Sequence, residues 1–179
     1  MIIQMAGLPG TGKSTLARAL SAELAGVVLD KDFIRQALFT DAVTYTREQD
    51  DFCVAVMFTT AAWLLGHGHH TVILDGRTCS RSYQVDQVRA FARSHGQHLA
   101  LIECVCREST ARQRLAADTS HPAANRDFAL YRRLRDSAEL IPPPKLAIDT
   151  DNEPADVLAR CLSLLHDRHT IAYPAGTPA

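Results

Sequence analysis

Residues Gly7 to Ser14 read "GLPGTGKS", a full match to G-x-x-x-x-G-K-[ST]. They lie between a short apolar run, Ile2 to Ala6, and a stretch in which Leu16, Leu20 and Leu24 recur every four residues. In a strand, glycine loop and helix of that order, successive backbone N–H groups wrap a phosphate chain while the helix N-terminus adds its partial positive charge. Lys13 is then placed to reach the terminal phosphates and Ser14 to ligate magnesium. Gly7, Pro9, Gly10, Thr11, Gly12, Lys13, Ser14 and Thr15 form the candidate nucleotide-binding loop. The chain has three lysines among its nineteen basic residues, so a lysine here is not compositional drift.

A phosphate-binding loop specifies a nucleotide and not a reaction. "LDKDFIR", Leu29 to Arg35, follows the second apolar run, Val27 to Leu29. Transfer of a phosphoryl group to a hydroxyl needs a carboxylate that orients the hydroxyl and takes its proton. Asp32 is the candidate base and Asp30 the alternative, because residues two apart in extended chain point the same way. Asp32 serves equally as N-cap of a short helix from Phe33 to Phe39. Arg35, one turn along, has the planar fork to hold part of the acceptor.

Asp75 closes a third apolar run in "VILDGRT", where a carboxylate can hold the water shell of magnesium opposite Ser14. Arg77 follows in the same loop and is a candidate acceptor contact. Arginines flank "DTSHPAANRD", a charged interruption between two helical stretches after the fourth apolar run. A closing lid there would bring arginine to the charge that develops on the transferred phosphoryl, and Arg114 and Arg126 are the candidates. "HGHH", His67 to His70, lacks partner carboxylates or cysteines and reads as a solvated turn. Cys104 and Cys106 share one face of a buried strand and read as packing.

These residues need a scaffold that gathers strand ends. Short apolar runs at Ile2 to Ala6, Val27 to Leu29, Thr71 to Leu74, Leu99 to Val105 and Lys145 to Asp149 alternate with helical stretches. Thr46 and Gln49 form a capping-box signal for a long helix to about Leu65, with Phe52, Val56 and Trp63 as its expected inner face. Ser80 or Ser82 is expected to cap the helix after Asp75. The alternation predicts an α/β fold, a five-stranded parallel sheet with helices on both faces, which binds ligands beyond the carboxyl ends of its strands. One domain over residues 1–167 is expected, with a helical lid at about 108–137 and a flexible tail over 168–179.

The chain resembles the AAA-type small P-loop kinases, which include zeta toxins, the phage-type polynucleotide 5′-hydroxyl kinase domain, seryl-tRNA kinases and chloramphenicol phosphotransferases. "GLPGTGKST", "DKDFIR", "LDGRT" and the arginine-bearing lid carry the resemblance, which covers most of the chain in element order. It implies a three-layer P-loop NTPase fold with a helical lid, ATP held by the first motif, Asp32 activating the acceptor hydroxyl, and Arg35 touching the acceptor. It places Asp75 in the magnesium shell or against the substrate, and with Asp30 and Arg77, read from their positions after strand ends, Arg35 and Asp75 are the candidates for the acceptor side. Thr150, in the loop after the fifth strand, falls where the family packs adenine. Polynucleotide kinases of this group carry a second lid arginine about four residues after the first, and here that place after Arg114 is Asp118.

Composition narrows the acceptor. The formal charge is −1 and 6% of residues are aromatic, which offers no basic track with stacking rings for a polymer. Apolar runs fall short of a membrane span, and five scattered cysteines suit a reducing cytoplasm. The expected activity is transfer of the γ-phosphoryl of ATP, with Mg2+, to a hydroxyl of a metabolite, nucleoside or antibiotic. Two alternatives are a kinase of polynucleotide or tRNA ends, and a nucleotide-driven ATPase or switch with no acceptor. N-K-x-D is absent and the third run ends Asp-Gly rather than Asp-Glu, which disfavours the last.

Overall fold

The computed structural model describes residues 1–118 and 126–170. Five strands, β1 (Ile2–Ala6), β2 (Val27–Asp30), β3 (Val72–Asp75), β4 (Leu99–Val105) and β5 (Leu146–Asp149), form an all-parallel sheet in the order β2-β3-β1-β4-β5. The helices are α1 (Lys13–Glu23), α2 (Lys31–Phe39), α3 (Arg47–Gly66), α4 (Ser82–Ser94), α5 (Glu108–Ala117), α6 (Phe128–Ser137) and α7 (Pro154–Thr170).

The two-residue period of β1 divides the core. Ile3 and Met5 pack with Leu16 and Leu20 of α1 and with Val157, Cys161 and Leu165 of α7. Ile2 faces the opposite layer, with Met57 and Ala61 of α3 and Val88 and Ala92 of α4. The result is the expected three-layer P-loop NTPase fold. The connection after β1 leads to the β2 edge and the one after β4 to the β5 edge, so the chain diverges beside the carboxyl end of β1, where such sheets bind ligands. Ala111 and Leu115 of α5 pack on Tyr131 of α6. Most of the interrupted "DTSHPAANRD" segment, residues 119–125, lies outside the described residues, as do 171–179 of the tail.

Three local expectations are corrected. Helix α2 starts at Lys31, not Phe33, because the cap is the Asp30 side chain, which accepts the N–H groups of Asp32 at 2.8 Å and Phe33 at 3.3 Å. On α3, Phe52 and Trp63 are more than half exposed, and the buried line is Gln49, Cys53, Met57 and Ala61, with Val54 beside it. This helix is apolar on most of its surface, so periodicity does not choose a face; Phe52 meets the Phe39 ring edge-on and Trp63 stacks on His67. Neither serine side chain caps α4. The Ser82 N–H instead donates at 2.7 Å to Glu139, a carboxylate 57 residues away.

Candidate active site

The glycine loop leaves the end of β1 in a backbone that needs glycine. Gly7 has φ +126°, and a Cβ there would stand 2.3 Å from the Cys104 carbonyl oxygen on β4. Its N–H donates to the Thr78 carbonyl at 3.0 Å, which ties the phosphate loop to the segment after β3. Across the loop, Lys13 Nζ donates to the Leu8 carbonyl at 2.9 Å. Burial pushes the Lys13 ammonium below its ordinary pKa, while the charge of Asp75 works the other way. A buried cation without a short carboxylate contact is suited to receive the negative charge of a phosphate chain.

Sheet register sets Asp30 beside Asp75 at the ends of β2 and β3. Asp75 is 1% exposed, and neither of its carboxylate oxygens has a hydrogen-bond partner. Burial, followed by the charge of Asp75, raises the Asp30 carboxyl to about 6. Ser14 lines the same cavity as these two aspartates. A hydroxyl and a buried, unpartnered carboxylate form the hard oxygen donor set that a magnesium ion takes, partly through its waters. No group of three His, Cys, Asp or Glu gathers as a metal cluster among the described residues, and His67, His69 and His70 are exposed.

A second cavity, of about 260 Å³, opens on the other side of Ser14. Its wall holds Pro9 and Lys13 of the loop, Asp32 and Arg35 of α2, Arg77 after β3, and Arg126. Asp32 and Asp30 therefore part company: once the helix starts at Lys31, the two carboxylates no longer point the same way. Asp32 Oδ1 accepts from Arg35 Nη1 at 2.9 Å, and Arg35 Nη2 donates to Asp50 Oδ1 at 2.6 Å. Lys31 also binds Asp50. Burial alone would raise the Asp50 carboxyl, but Lys31, Arg35 and Arg77 outweigh it and hold the pKa below its ordinary value.

The two arginines expected to act from a lid separate. Arg126 lines the cavity and pairs with Asp118. Arg114 is not among the cavity residues. Its Nη1 donates to the Thr150 hydroxyl at 3.1 Å and its Nη2 to the Thr150 carbonyl at 2.7 Å. The Thr150 hydroxyl in turn donates to the Thr11 carbonyl at 2.9 Å. Arg114 and Thr150 thus brace the phosphate loop from behind, and Thr15 is exposed on α1.

Sequence reasoning overlooked Lys31, Tyr45 and Asp50 in this wall. Lys31 carried a signal, being one of three lysines and set between two aspartates. Tyr45 takes a φ of +53°, an uncommon backbone for a bulky residue, and its ring lies 5.3 Å from the Arg35 guanidinium. Asp50 sits on a helix turn that reads as ordinary solvated charge.

Residues 2–140 match the AAA domain family. The chain belongs to that family. Curated relatives of this AAA domain include uncharacterized proteins of Mycobacterium tuberculosis and Mycobacterium bovis, 34% identical over 113 residues, which are 56% of this chain and 22% of theirs. The chain therefore spans less than a quarter of the length of those relatives. Among solved structures, the APS kinase of Mycobacterium tuberculosis in complex with AMPPNP and APS aligns with a TM-score of 0.70 at 17% identity, covering 92% of this chain and 96% of that one. A gluconokinase of Sinorhizobium meliloti aligns at 0.67 and 17%, over 96% and 97%. A sugar kinase of Janibacter aligns at 0.69 and 16%, over 96% and 98%. The fold of the AAA domain is that of small P-loop kinases. No helix among its described residues is long and apolar enough to cross a membrane.

Proposed function

We propose that the chain is an ATP-dependent phosphotransferase that moves the γ-phosphoryl of ATP to a hydroxyl of a small molecule. One observation carries this reading: Asp32 lines the same cavity as Lys13 and Ser14, with Arg35 bound to one carboxylate oxygen. The acceptor hydroxyl lies against Asp32, whose second oxygen takes the proton as the hydroxyl oxygen attacks phosphorus and the bond from phosphorus to the ADP oxygen breaks. Lys13 and the loop N–H groups hold the phosphates, and Arg126 brings positive charge to the transferred group. Arg114 and Thr150 keep the loop in shape beside the nucleotide. Ser14 and Asp75 would hold magnesium, Asp75 through water. When bound, the ion neutralises negative charge on the β- and γ-phosphates.

The likeness to kinases that span nearly the same length supports this reading, and so does a cavity scaled to a metabolite rather than a polymer. The test is ADP release by the full chain with magnesium and ATP, against hydroxylated metabolites, nucleosides, antibiotics and 5′-hydroxyl oligonucleotides. Stimulation by a small hydroxylated compound, with one phosphoryl gained per ADP, is the expected result. Steady ATP turnover that no acceptor alters would mean an ATPase or switch.

A further inference from the structure

The wall of the acceptor cavity contains a buried cation that no carboxylate among the described residues meets at short range. Lys31 and Arg35 each reach Asp50, and Arg35 also reaches Asp32, so these charges account for one another at short range. Arg77 differs. It is 3% exposed, yet its one carboxylate contact among the described residues is to Asp51 Oδ1 at 3.4 Å, and Asp51 is shared with Arg47 at 3.5 Å. Arg77 Nε has no partner, as is also true of Arg35 Nε, so the long carboxylate contact is what sets Arg77 apart. The Tyr83 ring lies 5.8 Å from its guanidinium and closer, at 4.6 Å, to that of Arg47. A guanidinium withdrawn from water with one long contact is costly unless an anion completes it, and its planar fork matches a carboxylate, phosphate or sulfate by paired hydrogen bonds. Arg77 belongs to the same cavity as Asp32, so that anion lies within the space an acceptor fills.

Resting on the phosphotransferase reading, we infer that the acceptor carries an acidic group besides its reactive hydroxyl, and that Arg77 reads the acidic group while Asp32 meets the hydroxyl. The substrate class is a hydroxy acid, such as a sugar acid, or a phosphorylated or sulfated alcohol. Neutral sugars, nucleosides and polyols leave Arg77 uncompensated and are poor acceptors.

The experiment measures kcat and KM of the full chain with matched pairs: gluconate and glucose, glycerate and glycerol, ribose 5-phosphate and ribose, a 3′-nucleotide and its nucleoside. At least one acidic member is expected to exceed its neutral partner in kcat/KM by about a hundredfold or more, and the pair that responds separates carboxylate from phosphate. Arg77→Gln should bring the acidic member down to its neutral partner, mainly through KM. Asp51→Asn, which leaves the buried guanidinium in place and removes its competing carboxylate, should lower KM for the acidic member. Unfolding temperatures of both variants verify the fold. If acidic and neutral members react alike while Asp32→Asn abolishes both, the acidic-acceptor inference fails and the kinase stands. If Arg77→Gln lowers kcat equally for both members, Arg77 serves the transferred phosphoryl and the inference fails. A KM that stays or rises in Asp51→Asn also overturns it. If no compound of either kind stimulates ADP release, the phosphotransferase reading itself is lost.

Discussion

Asp30 Oδ1 accepts the backbone N–H of Asp32 at 2.8 Å, and this bond sends two carboxylates only two residues apart into different cavities. Asp30 closes the first turn of α2 and stays beside Asp75. Asp32, already inside the helix, projects towards Lys13 and Arg35. The division of labour proposed above follows from this cap.

Asp32→Asn is expected to lower kcat by about 10²–10⁴-fold, the range for loss of a general base, with KM for ATP little changed. Asparagine keeps an oxygen for Arg35, so the fold should survive, as the unfolding temperature will show. Acceptor phosphorylation at the parent rate would remove Asp32 from the role.

Arg126→Ala and Arg114→Ala should differ in kind. Arg126 faces the cavity, and its loss is expected to reduce kcat by about 10²–10³-fold, at or below the range of an arginine that stabilises transferred charge. Arg114 braces the loop through Thr150, so its loss should appear as a several-fold rise in KM for ATP with kcat nearly kept. The two parameters, measured by varying ATP at saturating acceptor, distinguish them; a large kcat loss in Arg114→Ala would mean that it reaches the phosphoryl group on closure.

Gly7→Ala and Gly12→Ala share a positive φ but not a neighbourhood. A Cβ at Gly12 meets Arg114 and Thr150 at 3.4 Å, ordinary contact, so the cost is backbone strain of about 1–2 kcal/mol. At Gly7 the Cβ collides with the Cys104 carbonyl at 2.3 Å, and overpacking adds about 1–3 kcal/mol more. Urea unfolding of both variants should rank Gly7→Ala as clearly the less stable.

Asp30 should make stability fall as pH rises. Its folded carboxyl, raised to about 6 by burial and Asp75, lies above the ordinary 3.8, so the native state keeps a proton that the unfolded chain has released. Stability from this group is full below about pH 4, declines through about pH 6, and stays lower beyond. An asparagine at this position would cap α2 comparably but cannot ionise. Asp30→Asn should therefore flatten this decline and raise the unfolding temperature at pH 8 without magnesium. An unchanged profile would mean that another group governs the window.

The phosphate loop was legible because its requirements are local: glycines at fixed positions, a lysine, a hydroxyl, and flanking strand and helix patterns. Asp75 was legible for the same reason, as a carboxylate that closes an apolar run. The choice between Asp30 and Asp32 was not, since it depends on where α2 begins, and a carboxylate can cap a helix or stand inside it. The inner face of α3 was hidden because apolar residues lie around most of that helix. Arg114 and Arg126 have equal standing in sequence, and only packing against Thr150 or the cavity separates them.

The amino-acid sequence by itself determined the parallel α/β order, the nucleotide-phosphate loop and the strand-end carboxylate, because backbone conformation and apolar period are written in contiguous residues. The tertiary structure alone brought Lys31 and Asp50 into the cavity wall beside Asp32, Arg35 and Arg77. Lys31, Asp50, Asp51 and Arg77 come from α2, α3 and the loop after β3, and the two aspartates read in isolation as solvated charges. Folding buries Lys31 and Arg77 while Asp50 and Asp51 stay partly exposed, and a buried cation needs a counter-charge within a few ångströms. Arg77, whose one carboxylate contact among the described residues is 3.4 Å long, is where the inference above places the counter-charge of the acceptor.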